Sequence, residues 1–135
     1  MRVSCQLLFV GIAAFGFIGS GGAQNQGGDT CQLDGSQREL NNCAGSRLME
    51  ADAEMNRLYK EQMAHLSVAP KRRLLASQRA WLAYRDKACL YETGPLEESG
   101  SIWPMQDALC RESLTKQRIE TLSKYLQCRQ NGCPE

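Results

Sequence analysis

Histidine is almost missing from this chain: one, His65, occurs in 135 residues. No C-x2-C pair occurs either, so the spacing by which zinc sites announce themselves is absent. There is no G-x-S-x-G, no H-E-x-x-H and no phosphate-cradling glycine loop. His65 has no identifiable partner that would make it a base. These absences leave no catalytic residue, no metal site and no cofactor to assign. Valine and isoleucine are sparse after the first twenty residues and never alternate with polar residues, which argues against strands. A bias of charge is missing as well: 16 basic residues stand against 15 acidic ones. Such a balance speaks against nucleic acid or an anionic membrane as the main partner.

What is present begins with an export-type leader. Arg2 precedes an uncharged apolar run, Leu7 to Ile18, and Gly21-Gly22-Ala23 supplies small residues at a cleavage point. Residues 1–23 therefore read as a signal peptide cut before Gln24. The run falls short of the ~20 apolar residues that cross a bilayer, and no later segment reaches that length, so no membrane span is expected. Cys5 lies ahead of the apolar run and is not placed to accept a lipid. Residues 24–30, polar and glycine-rich, read as a mobile lead. Residues 31–135 form the expected domain, placed in the periplasm or outside the cell.

Seven cysteines occur, and loss of Cys5 with the leader leaves Cys31, Cys43, Cys89, Cys110, Cys128 and Cys133. An even number in a small exported chain reads as a disulfide framework. Six cysteines allow 15 pairings. Pairing of neighbours, Cys31–Cys43, Cys89–Cys110 and Cys128–Cys133, is the simplest of them.

The fold class follows from periodicity. Ser36-Gln37-Arg38-Glu39 fits a capping box. Behind it Leu40, Ala44, Leu48, Ala51, Met55, Leu58 and Leu66 recur at helical spacing. A first helix is expected to about Leu66, with a possible break at Gly45. A second is expected from Pro70 to Tyr91, and a third from Pro104 to Leu126. Thr93-Gly94-Pro95 and Ser99-Gly100-Ser101 mark a loop between them. The prediction is all-α: a small antiparallel bundle of three main helices, stapled by disulfides.

Polar residues sit inside these stripes. Asp52, Gln78, Arg85, Asp86 and Arg118 are expected to form a network that fixes helix register, with Asp52 or Asp86 neutralising the arginines. Trp81 and Tyr84 are expected to pack in or near the core.

Three blocks carry a resemblance. Glu39-Leu40-Asn41-Asn42-Cys43-Ala44 follows Cys31. Ala51-Asp52-Ala53-Glu54-Met55-Asn56 leads to Tyr59. Gln78-Arg79-Ala80-Trp81-Leu82-Ala83-Tyr84-Arg85-Asp86-Lys87-Ala88-Cys89 is followed by Ser99-Gly100-Ser101, then Cys110, Leu114-Thr115, Arg118 and Leu122. In these blocks, over residues 31–126, the chain resembles the LprI family of lysozyme inhibitors. Met55 and Ser99 depart from the pattern, and Cys128 and Cys133 lie outside it. The resemblance implies an exported helical domain that is not an enzyme and whose partner is a protein, a lysozyme-type glycoside hydrolase. Such enzymes work with two carboxylates in a cleft, and many are basic. The best candidate surface is then the 92–103 loop. Glu92, Glu97 and Glu98, with Asp107 just beyond, bring negative charge. Leu96, Ile102 and Trp103 bring apolar area, unless Trp103 folds into the core instead.

Overall fold

The computed structural model describes residues 35–128 and Cys133. The expected leader, the 24–30 lead and Cys31 lie outside the described residues, and so does the Cys31–Cys43 pairing. Cys43 itself is disulfide-bonded. The described part is all-helical, in the order α1 (Gln37–His65), α2 (Val68–Thr93), α3 (Leu96–Ser99), a 3-10 turn (Gly100–Ile102) and α4 (Trp103–Gln127).

The start of α1 is set locally. The Glu39 carboxylate accepts from the Ser36 backbone N–H at 2.7 Å, while Ser36 Oγ accepts from the Glu39 N–H at 3.4 Å, closing the capping box. The helix then runs through Gly45 without a break. It turns Ala44, Ala51, Met55, Leu58 and Gln62 inward. Two residues, Leu66 and Ser67, separate it from α2, which starts two residues before the expected proline and keeps Pro70 in its first turn. The expected loop holds two short helical turns. They are too brief to show a period and lie among glycine, proline and serine, which is why the sequence reads as irregular there.

α4 is the central element and lies closest to α1. Ala44, Ala51 and Ala108, all buried, hold the contact between these two helices to small side chains, and small side chains let helix axes approach closely. The pair runs parallel. Asn41 bonds Ser101, Arg47 bonds Glu112, and Leu58 packs with Leu122. α2 runs against both, so neighbours in sequence are antiparallel while the closest pair in space is not. α2 packs mainly on α4 and reaches α1 through long side chains.

The large apolar core lies towards the α1–α2 connection. Met55, Leu58, Leu74, Leu122 and Leu126 form it, with Tyr59, Met63, Trp81 and Ile119 against it. The other half of the molecule is held differently, by polar side chains and a crosslink. Cys89 Sγ, fully buried, is bonded to Cys110 and ties α2 to α4. Cys128 is bonded to Cys133. No helix among the described residues is long and apolar enough to cross a membrane.

Candidate functional site

A polar seam runs between the helices above the apolar core. Arg85 on α2, nearly buried, donates to Asp52 on α1 at 2.7 Å and to Thr115 on α4 at 2.9 Å. One turn away Arg118 donates to Gln78 Oε1 at 2.9 Å, and the Gln78 amide reaches Met55 Sδ at 3.4 Å. Half-buried Trp81 lies between the two arginines, their guanidinium carbons 5.4 and 5.9 Å from its ring centre. Such contacts offset part of the desolvation of each cation. The three long helices α1, α2 and α4 all contribute, so the seam fixes them against sliding.

The seam differs from expectation in two respects, and one residue beside it in a third. Asp86 is not one of its inner members. It is more than half exposed, pairs with Arg111 at 2.5 Å and stands 3.6 Å from Arg85 Nε. One residue before it in the helix, Arg85 points inward, and a one-residue step turns a side chain by about 100°. Arg118 is neutralised by no carboxylate among the described residues; Gln78 and Ser77 face it instead. Tyr84 is exposed rather than packed.

A third buried charge, in addition to Arg85 and Arg118, escaped the sequence reading. Glu112 on α4 is 4% exposed, with Arg47 of α1 at 3.0 Å and Lys116 at 2.8 Å. Burial works against its ionisation, but hydrogen bonds from Lys116 and Arg47 outweigh that and hold the carboxyl below its ordinary range. The signal was present: Glu112 sits between Ala108 and Thr115 on the buried stripe of α4, at spacings of four and three.

At the end away from the apolar core, residues 89–110 form a compact knob. Cys89–Cys110 closes its base. Gly94, at φ +68°, turns the chain out of α2 while its N–H donates to the Leu90 carbonyl; a side chain at that φ would be strained. The Ser99 hydroxyl lies 3.0 Å from the carbonyls of Thr93 and Pro95. The Trp103 indole N–H donates to the Gly94 carbonyl at 2.8 Å, and the Asn41 amide of α1 holds the Ser101 carbonyl at 3.0 Å. The turn is thus tied at both ends and in the middle.

The knob sorts the candidate partner residues. Glu92, Glu97 and Glu98 are exposed. Leu90, Tyr91, Leu96 and Ile102 are exposed beside them, Tyr91 at 89%. Trp103 is half-buried with its N–H occupied, so it shapes the knob from within. Asp107 is likewise turned inward, pairing with Arg111 at 2.7 Å. Among the described residues no three of His, Cys, Asp and Glu stand where they could hold a metal ion.

A family model described as lysozyme inhibitor LprI matches residues 29–122. The chain belongs to the LprI lysozyme inhibitor family. The match takes in all of the seam and all of the knob. An uncharacterized protein of Rhizobium meliloti (strain 1021) is 31% identical over 115 residues, covering 75% of this chain and 81% of its own length. No solved structure matches. The LprI match stops before Cys128, so the Cys128–Cys133 bridge lies beyond the matched part.

Proposed function

We propose that this protein is exported and binds a lysozyme-type muramidase, blocking the substrate cleft with the 89–110 knob. Family membership supports a protein partner of that kind. The observation that carries the choice of surface is the knob itself: exposed carboxylates of Glu92, Glu97 and Glu98 beside exposed Tyr91, Leu96 and Ile102, on a backbone tied by a disulfide, by hydrogen bonds within the knob and by one from Asn41 of α1. A basic enzyme is drawn to such a surface by its charge, which acts mainly on encounter rate and orientation. The apolar side chains supply area that is desolvated on contact, and aromatic residues such as Tyr91 are common at the energetic centre of interfaces. Because the knob is already ordered, little conformational freedom is lost on binding.

In this reading the three long helices act as a small bundle whose task is to present the knob, and the seam keeps that bundle in register. The disulfides suit an oxidising compartment, in line with the leader read from residues 1–23. Titration of the mature, oxidised protein against lysozyme, with cell-wall clearing as readout, tests the proposal. Stoichiometric loss of clearing is expected, and Glu97→Lys with Glu98→Lys is expected to weaken it and to remove its salt dependence. Full inhibition by the double variant would discard this surface. No inhibition of any muramidase, against inhibition of an amidase in the same panel, would replace the target.

A further inference from the structure

The near-zero net charge conceals a separation along the molecule. From Leu66 to Arg85 the chain holds Lys71, Arg72, Arg73, Arg79 and Arg85 and no acidic residue. From Ala88 to Cys110 it holds Glu92, Glu97, Glu98 and Asp107 and no basic one. The acidic stretch makes the knob. The basic stretch is the first two thirds of α2, and Arg72 lies about 30 Å from Glu92 along that helix at ~1.5 Å per residue.

The outer face of this stretch has a defined composition. Val68, Arg72, Leu75 and Arg79 follow at spacings of four, three and four, which stacks them on one side of the helix. All four are exposed, Val68 at 72% and Leu75 at 37%. Ala76 and Ala83, also exposed, flank them and add no bulk. Elsewhere the protein pairs many of its cations: Arg47 with Glu112, Arg57 with Glu54 and Glu61, Arg111 with Asp86 and Asp107. Lys71, Arg72 and Arg79 make no ion pair among the described residues.

We propose that this face of α2 is a second binding surface, independent of the inhibitory knob, and that its partner is an anionic phospholipid bilayer surface. Lipid headgroup phosphates attract clustered Lys and Arg, within the short range that salt allows. A soluble polyanion would satisfy the arginines equally but would leave Val68 and Leu75 in water. At a bilayer these two enter the headgroup boundary while the long stems of Arg72 and Arg79 keep their charges at the phosphates. Held so, α2 lies along the membrane and the knob is carried to the side, free to meet an enzyme.

Sedimentation of the full oxidised protein with vesicles tests this without any muramidase, so its outcome is separate from that of the inhibitor reading. Binding is expected to phosphatidylglycerol–phosphatidylcholine vesicles and not to phosphatidylcholine alone, and to fall as salt rises. Arg72→Glu with Arg79→Glu is expected to weaken it at least tenfold with the helical circular dichroism unchanged. Val68→Ser with Leu75→Ser is expected to abolish the part that survives high salt. Equal binding to both vesicle types, no binding to either, or an unaffected arginine variant would overturn the proposal. Binding to soluble polyphosphate that matches vesicle binding and ignores Val68→Ser with Leu75→Ser would give the face to a polyanion instead.

Discussion

Arg85 and Asp52 meet at 2.7 Å between α2 and α1, two helices whose backbones come close at few points. The Arg85 side chain is about one tenth exposed and that of Asp52 about one third. Loss of Asp52 would therefore leave a cation largely out of water, with Thr115 at 2.9 Å and the half-exposed Asp86 carboxylate at 3.6 Å as its remaining partners.

Asp52→Asn is accordingly expected to destabilise the fold by about 1–3 kcal/mol, below the range for a fully buried pair because Asp52 is partly solvated. For a domain of this size roughly 4–8 °C of melting temperature is lost per kcal/mol. Asp86→Asn, at a site more than half exposed, is expected to cost less than about 1 kcal/mol. Thermal unfolding followed by circular dichroism compares the two directly. A larger loss for Asp86→Asn would reverse the assignment of the inner carboxylate.

The contrast between these two aspartates marks how far the sequence could be read. Helix ends were legible because their determinants are neighbours in the chain: Ser36 and Glu39 at one end, Pro70, Gly94 and Pro104 at others. The polar residues of the seam were legible as residues out of place in apolar stripes. Their partners were not, because Asp52 and Arg85 are 33 positions apart and their meeting depends on how three helices rotate against each other. Glu112 likewise stands in a buried stripe with Lys116 four residues on, but its other neutralising partner, Arg47, is 65 positions away and was not legible. The knob was legible as charge and hydrophobicity, yet its internal order was not. Whether Trp103 faces solvent or the Gly94 carbonyl depends on how the chain turns at Gly94 and Gly100, nine and three residues before it.

Glu112 gives the fold a pH dependence with a definite sign. Its carboxyl is held below the ordinary value of 4.5 in the folded protein. A depressed folded value means stability that is fully present above the unfolded value and lost as pH falls through the folded one. Stability should therefore be flat in Glu112's contribution near neutrality and decline below about pH 4.5. Glu112→Gln is expected to lower stability at pH 7, leaving Arg47 and Lys116 without their shared anion, and to flatten the acid limb. Urea unfolding of both proteins between pH 3 and pH 7 reads the difference. Parallel acid limbs would show that Glu112 does not titrate in that window.

The Trp103 indole bond to Gly94 separates the order of the knob from its surface. Trp103→Phe keeps most of the ring and removes one hydrogen bond, a change of about 0.5–1.5 kcal/mol. Hydrogen exchange at Gly94 and at Glu98, whose amides bond to Leu90 and Pro95, is expected to quicken, while the apolar core is left alone. If a preformed knob underlies inhibition, the same variant should weaken inhibition through faster dissociation. Unchanged exchange in the knob would show that the disulfide and the Ser99 contacts suffice to order it.

The two ends of the molecule predict a double dissociation. Charge reversal at Glu97 and Glu98 alters the knob, about 25 residues along the chain from Arg72, and the separation exceeds the roughly 10 Å over which exposed charges interact at 0.1 M salt. Such a variant should lose inhibition and bind anionic vesicles as the parent does. Reversal at Arg72 and Arg79 should do the opposite, sparing inhibition in solution and losing vesicles. Both proteins share the fold, so misfolding would remove both activities together and is thereby distinguished. With vesicles added to the inhibition assay, the parent should lose activity in the supernatant and carry it to the membrane pellet. An arginine variant that inhibits as poorly as the glutamate variant would mean that one continuous surface, and not two, faces the enzyme.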